Sequence, residues 1–154
     1  MARTVVVDVR KAVVAGIQAA LTAAGASYSG VSCSYGYSGD DDERRELIYT
    51  SSPRATHDPA SMKAGRNFRD ERMEFDIRLL VRSPGDAPED NDTRAAAIGA
   101  LIEEWVADKK NGTLLGVSAV SWFVMSDLRI ENMFGPTGSM SIWQYTVRYQ
   151  ARLT

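Results

Sequence analysis

The sequence predicts an α+β fold, with a mostly antiparallel sheet of about five strands and two helices packed on one face of that sheet. Apolar residues recur at helical spacing in two segments, whereas in the other segments they alternate with polar residues, as in strands. The order is helix, three strands, helix and two strands, and turn residues separate most neighbouring strands. Hairpin connections make strands antiparallel, so both helices are expected to cover one side of the sheet.

Length and composition limit the class of protein. The chain has 154 residues, 44% of them hydrophobic and 25% charged, so we expect one globular domain over residues 1–154. Its net charge of −2, from 18 basic and 20 acidic residues, gives no overall field that would attract nucleic acid or an anionic membrane. No apolar run has the length of a signal peptide or a membrane-spanning helix, so neither is expected. The single cysteine permits no internal disulfide, which fits a reducing compartment.

The first helix is predicted between Asp8, a suitable N-cap residue, and Gly25, a natural stop. Apolar residues recur at helical spacing between them, at Val13, Ile17 and Leu21. We expect this apolar stripe to pack on the sheet. The small residues on another side of the helix leave a helix–helix contact open as an alternative.

A hairpin of two strands is predicted next. Residues 31–38 alternate between larger residues and Ser or Gly, and a short apolar strand covers residues 45–51. The acidic turn Asp40–Glu43 lies between the two strands. In this interpretation Cys33 points inward as a small hydrophobic residue and is not a catalytic thiol.

The segment from Pro53 to Glu71 has neither a helical nor a strand period. A structureless stretch of this length inside a compact domain is either functional or disordered. The segment is locally basic, with Arg54, Lys63, Arg66 and Arg69. We therefore predict a long flexible loop at about 53–71.

A regular strand and a second helix follow this loop. In residues 72–82 apolar side chains alternate with charged ones, which is typical of a half-buried strand. The turn residues 83–88 end the strand, and Asn91, Asp92 and Thr93 offer caps for the helix. Asn111 and Gly112 are expected to end it.

Two long strands end the chain: the first covers 117–131, and the second follows the Gly/Pro turn 134–138 and carries the alternating residues from Trp143 to Leu153. In the first of them, Phe123 and Met125 alternate with a second apolar set and are therefore expected on the opposite face. Apolar residues on both faces indicate a strand that is covered twice, by the helices and by another subunit. The second set is Val120, Trp122, Val124, Leu128 and Ile130.

Few residues of this sequence suit catalysis or cofactor binding. His57 is the only histidine, and the sequence contains neither a G-x-S-x-G motif nor a phosphate-binding glycine motif. The consecutive carboxylates of the acidic turn lack the spacing of a calcium loop. We therefore expect a protein that is not an enzyme, with no catalytic residues, no metal, no cofactor and no sequence-specific nucleic acid partner. A small hydrolase or ligand-binding domain that uses His57 and the acidic turn is the alternative from a different class.

Several sequence segments, taken in order, carry a family resemblance. An amphipathic helix, a predicted hairpin and a long charged loop are followed by RMEFDIRL at 72–79, EEWV at 103–106, LLGV at 114–117 and YTVRYQARL at 145–153. This arrangement resembles the tail terminator proteins of long-tailed bacteriophages, also called minor tail or tail completion proteins. The resemblance covers nearly the whole chain and rests on order, length and composition.

The resemblance implies a structural virion protein without catalytic residues. Members of that family form a hexameric ring on the head-proximal end of the tail tube, stop tube elongation and provide the surface for head joining. The expected partners are further copies of this chain, the tail tube protein and a head-side connector or stopper protein. The expected location is the virion tail, assembled in the host bacterial cytoplasm. A head–tail connector or neck protein and a tail tube protein of the same virion are the alternatives.

The sequence also suggests where such a protein would meet its neighbours. We expect the subunit or tube interface to include the sheet edge and the strand face that carries Phe123 and Met125. The basic loop residues Arg54, Lys63, Arg66 and Arg69 are expected to join the same interface. The loop would become ordered when it contacts a neighbouring subunit or the tube.

Overall fold

The computed structural model describes residues 4–39, 44–55, 69–84, 87–136 and 138–153. Within these residues it has two α-helices and one mixed sheet of six strands, which confirms the predicted α+β class. The helices are α1 (Val6–Ala24) and α2 (Pro88–Asp108). The strands are β1 (Ser32–Ser34), β2 (Glu46–Thr50), β3 (Arg54–Ala55), β4 (Arg69–Ser83), β5 (Val120–Gly135) and β6 (Gly138–Leu153).

The sheet is built around two long antiparallel pairs. Its strand order is β1-β2-β4-β6-β5, and β3 pairs with β4 beyond the end of β2. β4 pairs with β6 over its whole length, and β6 pairs with β5 from Gly138 opposite Gly135 to Ala151 opposite Val120. The pairs of β4 with β2 and β3 are antiparallel as well. β5 therefore lies at one edge of the sheet and β1 at the other.

The predicted hairpin between the first two strands is wrong. β1 is short and runs parallel to β2, with Ser32 opposite Leu47 and Ser34 opposite Tyr49. Tyr35 and Tyr37 have left the sheet, and the ring of Tyr37 packs edge-on against that of Tyr49 with 5.3 Å between the ring centres. Side-chain alternation is the same for parallel and antiparallel strands, so it carries no information about strand direction.

Helix α1 follows its predicted apolar stripe. Val9, Val13, Ile17 and Leu21 are buried along one face, and the helix ends at Gly25, whose φ of +110° confirms the predicted stop. Asp8 lies in the first turn and is not the N-cap, a position that Val5 occupies. Cys33 lies beside Ile48 on the side of the sheet that packs against the helices, as predicted for an inward-pointing residue.

Helix α2 begins earlier than the predicted caps at residues 91–93. Pro88 occupies the first turn, where a missing backbone N–H costs nothing and the fixed φ suits a helix. The amide of Asn91 is buried and donates to Ser139 Oγ at 2.9 Å, so this side chain attaches the helix to β6 and does not cap it.

The core lies between the two helices and one face of the sheet. Phe75 and Ile77 of β4 and Tyr145 and Val147 of β6 are fully buried on this side, which confirms that both helices pack on one face. The helices also touch each other where Gly16 of α1 lies against the indole of Trp105. A Cβ atom at position 16 would come within 2.2 Å of that ring, so only glycine permits this approach.

The opposite face of the sheet carries no helix in the part of the chain that the structure describes. Near β2, Tyr37 and Arg44 lie against this face, because Arg82 of β4 donates to Tyr37 Oη and to the carbonyl oxygen of Arg44. Leu47 and Leu80 are buried there. Elsewhere the face carries polar side chains together with Trp122, Val124 and Ile142. We call it the outer face, and the other side the helix face.

Neither described helix is both long and apolar enough to cross a lipid bilayer.

Candidate assembly surface

Strand β5 has a free edge along most of its length. Near its start the edge is occupied, because Trp122 forms a bridge with Asn111 and the Phe123 N–H donates to the Lys110 carbonyl oxygen at 3.4 Å. Beyond this point no described residue pairs with the edge as far as Gly135. A long strand edge with unpaired backbone groups is a template for pairing with another chain.

The second half of β5 carries apolar side chains that the helices leave uncovered. All residues from 126 to 135 are exposed. Leu128 and Ile130 lie on the helix face and are 38% and 47% exposed, and Phe134 near the end of the strand is 65% exposed. Large apolar side chains grouped at this level of exposure mark an interaction surface. We call residues 126–135 the outer half of β5, and residues 120–125 the inner half.

The position of α2 explains why the outer half stays uncovered. The N-terminal part of the helix is attached to β6, through Asn91 to Ser139 and through Asp92, which accepts from Ser141 Oγ. Asp92 also accepts from the side-chain amide of Asn132 in β5 at 3.4 Å. The helix therefore covers β6 and the inner half, while Leu128 and Ile130 extend past it.

Two irregularities and a run of charges modify the same edge. The register of β5 against β6 shifts between Val120 and Trp122 and again between Met125 and Asp127. Asp127, Arg129 and Glu131 follow on the outer face, opposite Thr146, Gln144 and Ile142. Bulges and charges of this kind oppose indiscriminate edge pairing, and alternating signs favour one register of pairing over others.

A cleft lies beside this surface, at the end of the β5–β6 pair where Gly135 is opposite Gly138. A cavity of about 370 Å³ is lined by Met133, Phe134 and Met140 together with Arg45 and Arg82. Apolar and basic groups therefore lie side by side in this cavity, and Phe134 of the outer half is one of the apolar groups.

The predicted interface role of Phe123 is wrong. Phe123 is 0% exposed, and its ring packs edge-on against Trp105 of α2 with 6.1 Å between ring centres. Met125 is half-buried and packs on the same core. The two register shifts reverse the alternation of β5, so both residues face the helices and are not on a separate, subunit-facing side. Leu128 and Ile130 share their face.

Of the four basic residues predicted at the interface, the structure describes Arg54 and Arg69. Arg54 lies on β3, half-exposed, and its guanidinium bonds both carboxylate oxygens of Asp76 at 3.2 Å. Arg69 is in β4 opposite Leu153, so the regular strand begins inside the predicted loop. Lys63 and Arg66 lie outside the described residues, as does most of the predicted loop.

Asp76 is the centre of a polar network on the outer face. The carboxylate is 1% exposed and also accepts from Gln144 Nε2 at 3.1 Å and Thr146 Oγ1 at 2.8 Å. Burial by itself raises the pKa of Asp76, but the hydrogen bonds from Arg54 and Thr146 outweigh it and hold the pKa below its usual range. The sequence showed only an alternating charged strand, so a buried carboxylate here was not foreseen.

The candidates for chemistry in the sequence are a reactive cysteine, a metal site, His57 and the acidic turn. Burial raises the pKa of the Cys33 thiol to about 12, so the thiolate that a nucleophile needs is scarce near neutral pH. No group of three or more His, Cys, Asp or Glu residues that could hold a metal ion occurs in the described ranges. His57 and the acidic turn at 40–43 lie outside them.

No protein-family model matches this sequence, and a search of curated proteins finds none that is significantly similar.

Proposed function

We propose that this protein is a structural subunit that assembles into a ring through the outer half of β5, and that the ring terminates the tail of a long-tailed bacteriophage. The proposal has two parts with different support. The free edge supports assembly, and the order of sequence segments supports the phage tail role.

The observation that carries the assembly part is the exposed outer half of β5. Its edge pairs with no other described strand, although the Leu128 N–H donates to Asp127 Oδ1 at 2.9 Å, and Leu128, Ile130 and Phe134 are 38–65% exposed. A neighbouring subunit that meets this edge satisfies backbone hydrogen bonds and removes apolar surface from water in one step. An edge contact between different surfaces of successive subunits closes into a ring when the rotation between them permits closure.

The charged residues of the outer face define the geometry of this contact. Asp127, Arg129 and Glu131 alternate in sign along the strand. A partner strand with the complementary order gains cross-strand ion pairs in one register, and a shift by two residues brings like charges together. Specific assembly is therefore favoured over general aggregation.

The phage part of the proposal rests on the resemblance to tail terminator proteins. In that role the ring binds the end of the tail tube, stops the addition of tube subunits and provides the surface that joins the head. A small domain with its largest apolar exposure on a strand edge suits such a role, because edge pairing can continue a neighbour's sheet without a catalytic site.

Deleting the gene and examining tails by electron microscopy tests this role. We expect abnormally long tubes without heads, because nothing stops tube elongation. Tails of normal length that fail to join heads would instead favour a neck protein. An unaltered virion would contradict any tail role.

Complementing the deletion with Ile130→Lys connects the role to the surface. We expect the variant to fold with nearly wild-type stability, since its side chain is already 47% exposed, and to leave tails unterminated. Val7→Lys is the matched control, because Val7 is 40% exposed on α1, far from the free edge, and should complement fully. Full complementation by Ile130→Lys would contradict assembly through β5.

A further inference from the structure

A second surface feature lies where the short strand β1 ends and leaves β2 uncovered. A cavity of about 510 Å³ opens there between residues 36–37 of the connection and residues 49–54. Arginines from three elements line it: Arg10 of α1, Arg54 of β3 and Arg78 of β4. No described acidic residue lines this cavity.

Arg78 carries one hydrogen-bond donor that has no acceptor among the described residues. This donor is its Nε, which is buried. A buried charged donor without an acceptor costs more than an ordinary missing bond, so such a group indicates that an acceptor belongs beside it.

The carboxylate of Asp76, whose charge interacts with that of Arg78, does not supply that acceptor. Asp76 lies two residues before Arg78 on the same face of β4, and each of its oxygens already accepts two hydrogen bonds. Oδ1 accepts from Arg54 and Thr146, and Oδ2 accepts from Arg54 and Gln144. Its capacity is thus taken up by other donors.

Arg10 makes no ion pair with a carboxylate among the residues that the structure describes. Its guanidinium donates to Thr50 Oγ1 at 2.9 Å and to the carbonyl oxygens of Tyr35 and Thr50 at 3.0 and 3.2 Å. These bonds fix the side chain at the rim of the cavity, and all of their acceptors are neutral oxygens. Two cations, one on each side of the β2 end, therefore face the same space.

Further groups at the rim suit an anion. Ser51 Oγ accepts from the Asp76 backbone N–H at 2.9 Å, which leaves its own hydroxyl hydrogen to donate. Ser52 is exposed beside it. The rings of Tyr37 and Tyr49 form one wall of the cavity.

We propose that this cavity binds a phosphate group, either as inorganic phosphate or at the end of a small monoester. Arg78 and Arg10 supply charge-assisted hydrogen bonds to the phosphate oxygens, and the serine hydroxyls supply neutral ones. Donors that come from separate elements suit an anion with oxygens in several directions better than a planar carboxylate. In a monoester, the organic group lies against the tyrosine rings.

Titration of the full-length protein with sodium phosphate, followed by NMR, tests the proposal. We expect saturable shifts of the Ser51 and Ser52 amide signals at constant ionic strength. Arg78→Gln should weaken binding about tenfold or more, which is the effect of losing a hydrogen bond to a charged group. Arg129→Gln removes the same charge from the outer face without lining the cavity and should bind phosphate as the wild type does. Equal affinity of wild type and Arg78→Gln, or an equal loss in Arg129→Gln, would overturn the site.

Two further probes define the ligand class. Acetate that binds as tightly as phosphate would overturn a phosphate site in favour of a carboxylate site. Adenosine 5′-monophosphate distinguishes the two sources of phosphate: tighter binding than inorganic phosphate, with shifts of the tyrosine ring signals, supports a monoester, and equal binding supports the free ion. If Arg78→Gln does not fold, Arg78→Lys keeps the charge and loses the planar donor pair, and it should still weaken binding measurably.

Discussion

The inner half of β5 lies under α2 with Phe123 fully buried, whereas the outer half extends past the helix with all of its side chains exposed. The two halves belong to one strand and pair with the same partner, β6. They differ in what covers them, because α2 packs over β6 and the inner half and reaches the outer half at Asn132. The comparison indicates that the inner half serves folding and the outer half serves contact with other molecules.

The largest expected effect separates two phenylalanines on the same strand. Phe123→Ala should lower the free energy of unfolding by about 3–5 kcal/mol, because it leaves a cavity in the core between Trp105 and the sheet. Phe134→Ala, at 65% exposure in the outer half, should change it by less than about 0.5 kcal/mol. Urea unfolding followed by circular dichroism measures both values. Similar losses would remove the distinction between the halves.

A smaller, pH-dependent effect is expected at Asp76, whose partner Thr146 lies opposite the start of the outer half. The folded-state pKa of Asp76 lies below its unfolded value, so its stabilisation is present above the unfolded pKa, about 3.9. It is lost as the pH falls through the folded-state pKa. Asp76→Asn should therefore be less stable than wild type at pH 7 and approach it in acid.

Urea unfolding at several pH values between 7 and about 2 checks this expectation. Asp127→Asn is the matched control, because Asp127 is exposed on the same face of the sheet and should follow the wild-type curve. If the free energies of unfolding of wild type and Asp76→Asn change with pH in the same way, the ionised carboxylate of Asp76 does not stabilise the folded protein.

Much of the fold was predictable because local patterns determine it. The apolar stripe of α1 and the stop at Gly25 could be identified from spacing alone, as could the alternation of β4. Element boundaries were less accurate: α2 begins at Pro88, where proline suits the first turn, although Asn91 has the side chain of a typical cap.

The candidate surface was only partly predictable. The sequence pattern identifies strand β5, but two bulges shift the alternation of its side chains. For this reason the pattern predicts Phe123 at a contact and Leu128 on the opposite face. A bulge has no sequence pattern as clear as a turn, because its extra residue needs no particular side chain. The parallel pairing of β1 and the arginine cavity depend on contacts between residues far apart in sequence, such as Arg10 and Thr50, and no local pattern contains that information.

Backbone hydrogen exchange within β5 tests the central claim most directly. Exchange is measured by mass spectrometry in the monomeric protein and in its assembled form, alone or bound to tail tubes from the deletion strain. We expect exchange in residues 128–135 to slow by about tenfold or more on assembly, because the free edge gains hydrogen-bond partners, while residues 120–125 exchange slowly in both states. Unchanged exchange in residues 128–135, with protection appearing elsewhere in the chain, would contradict assembly through the outer half of β5.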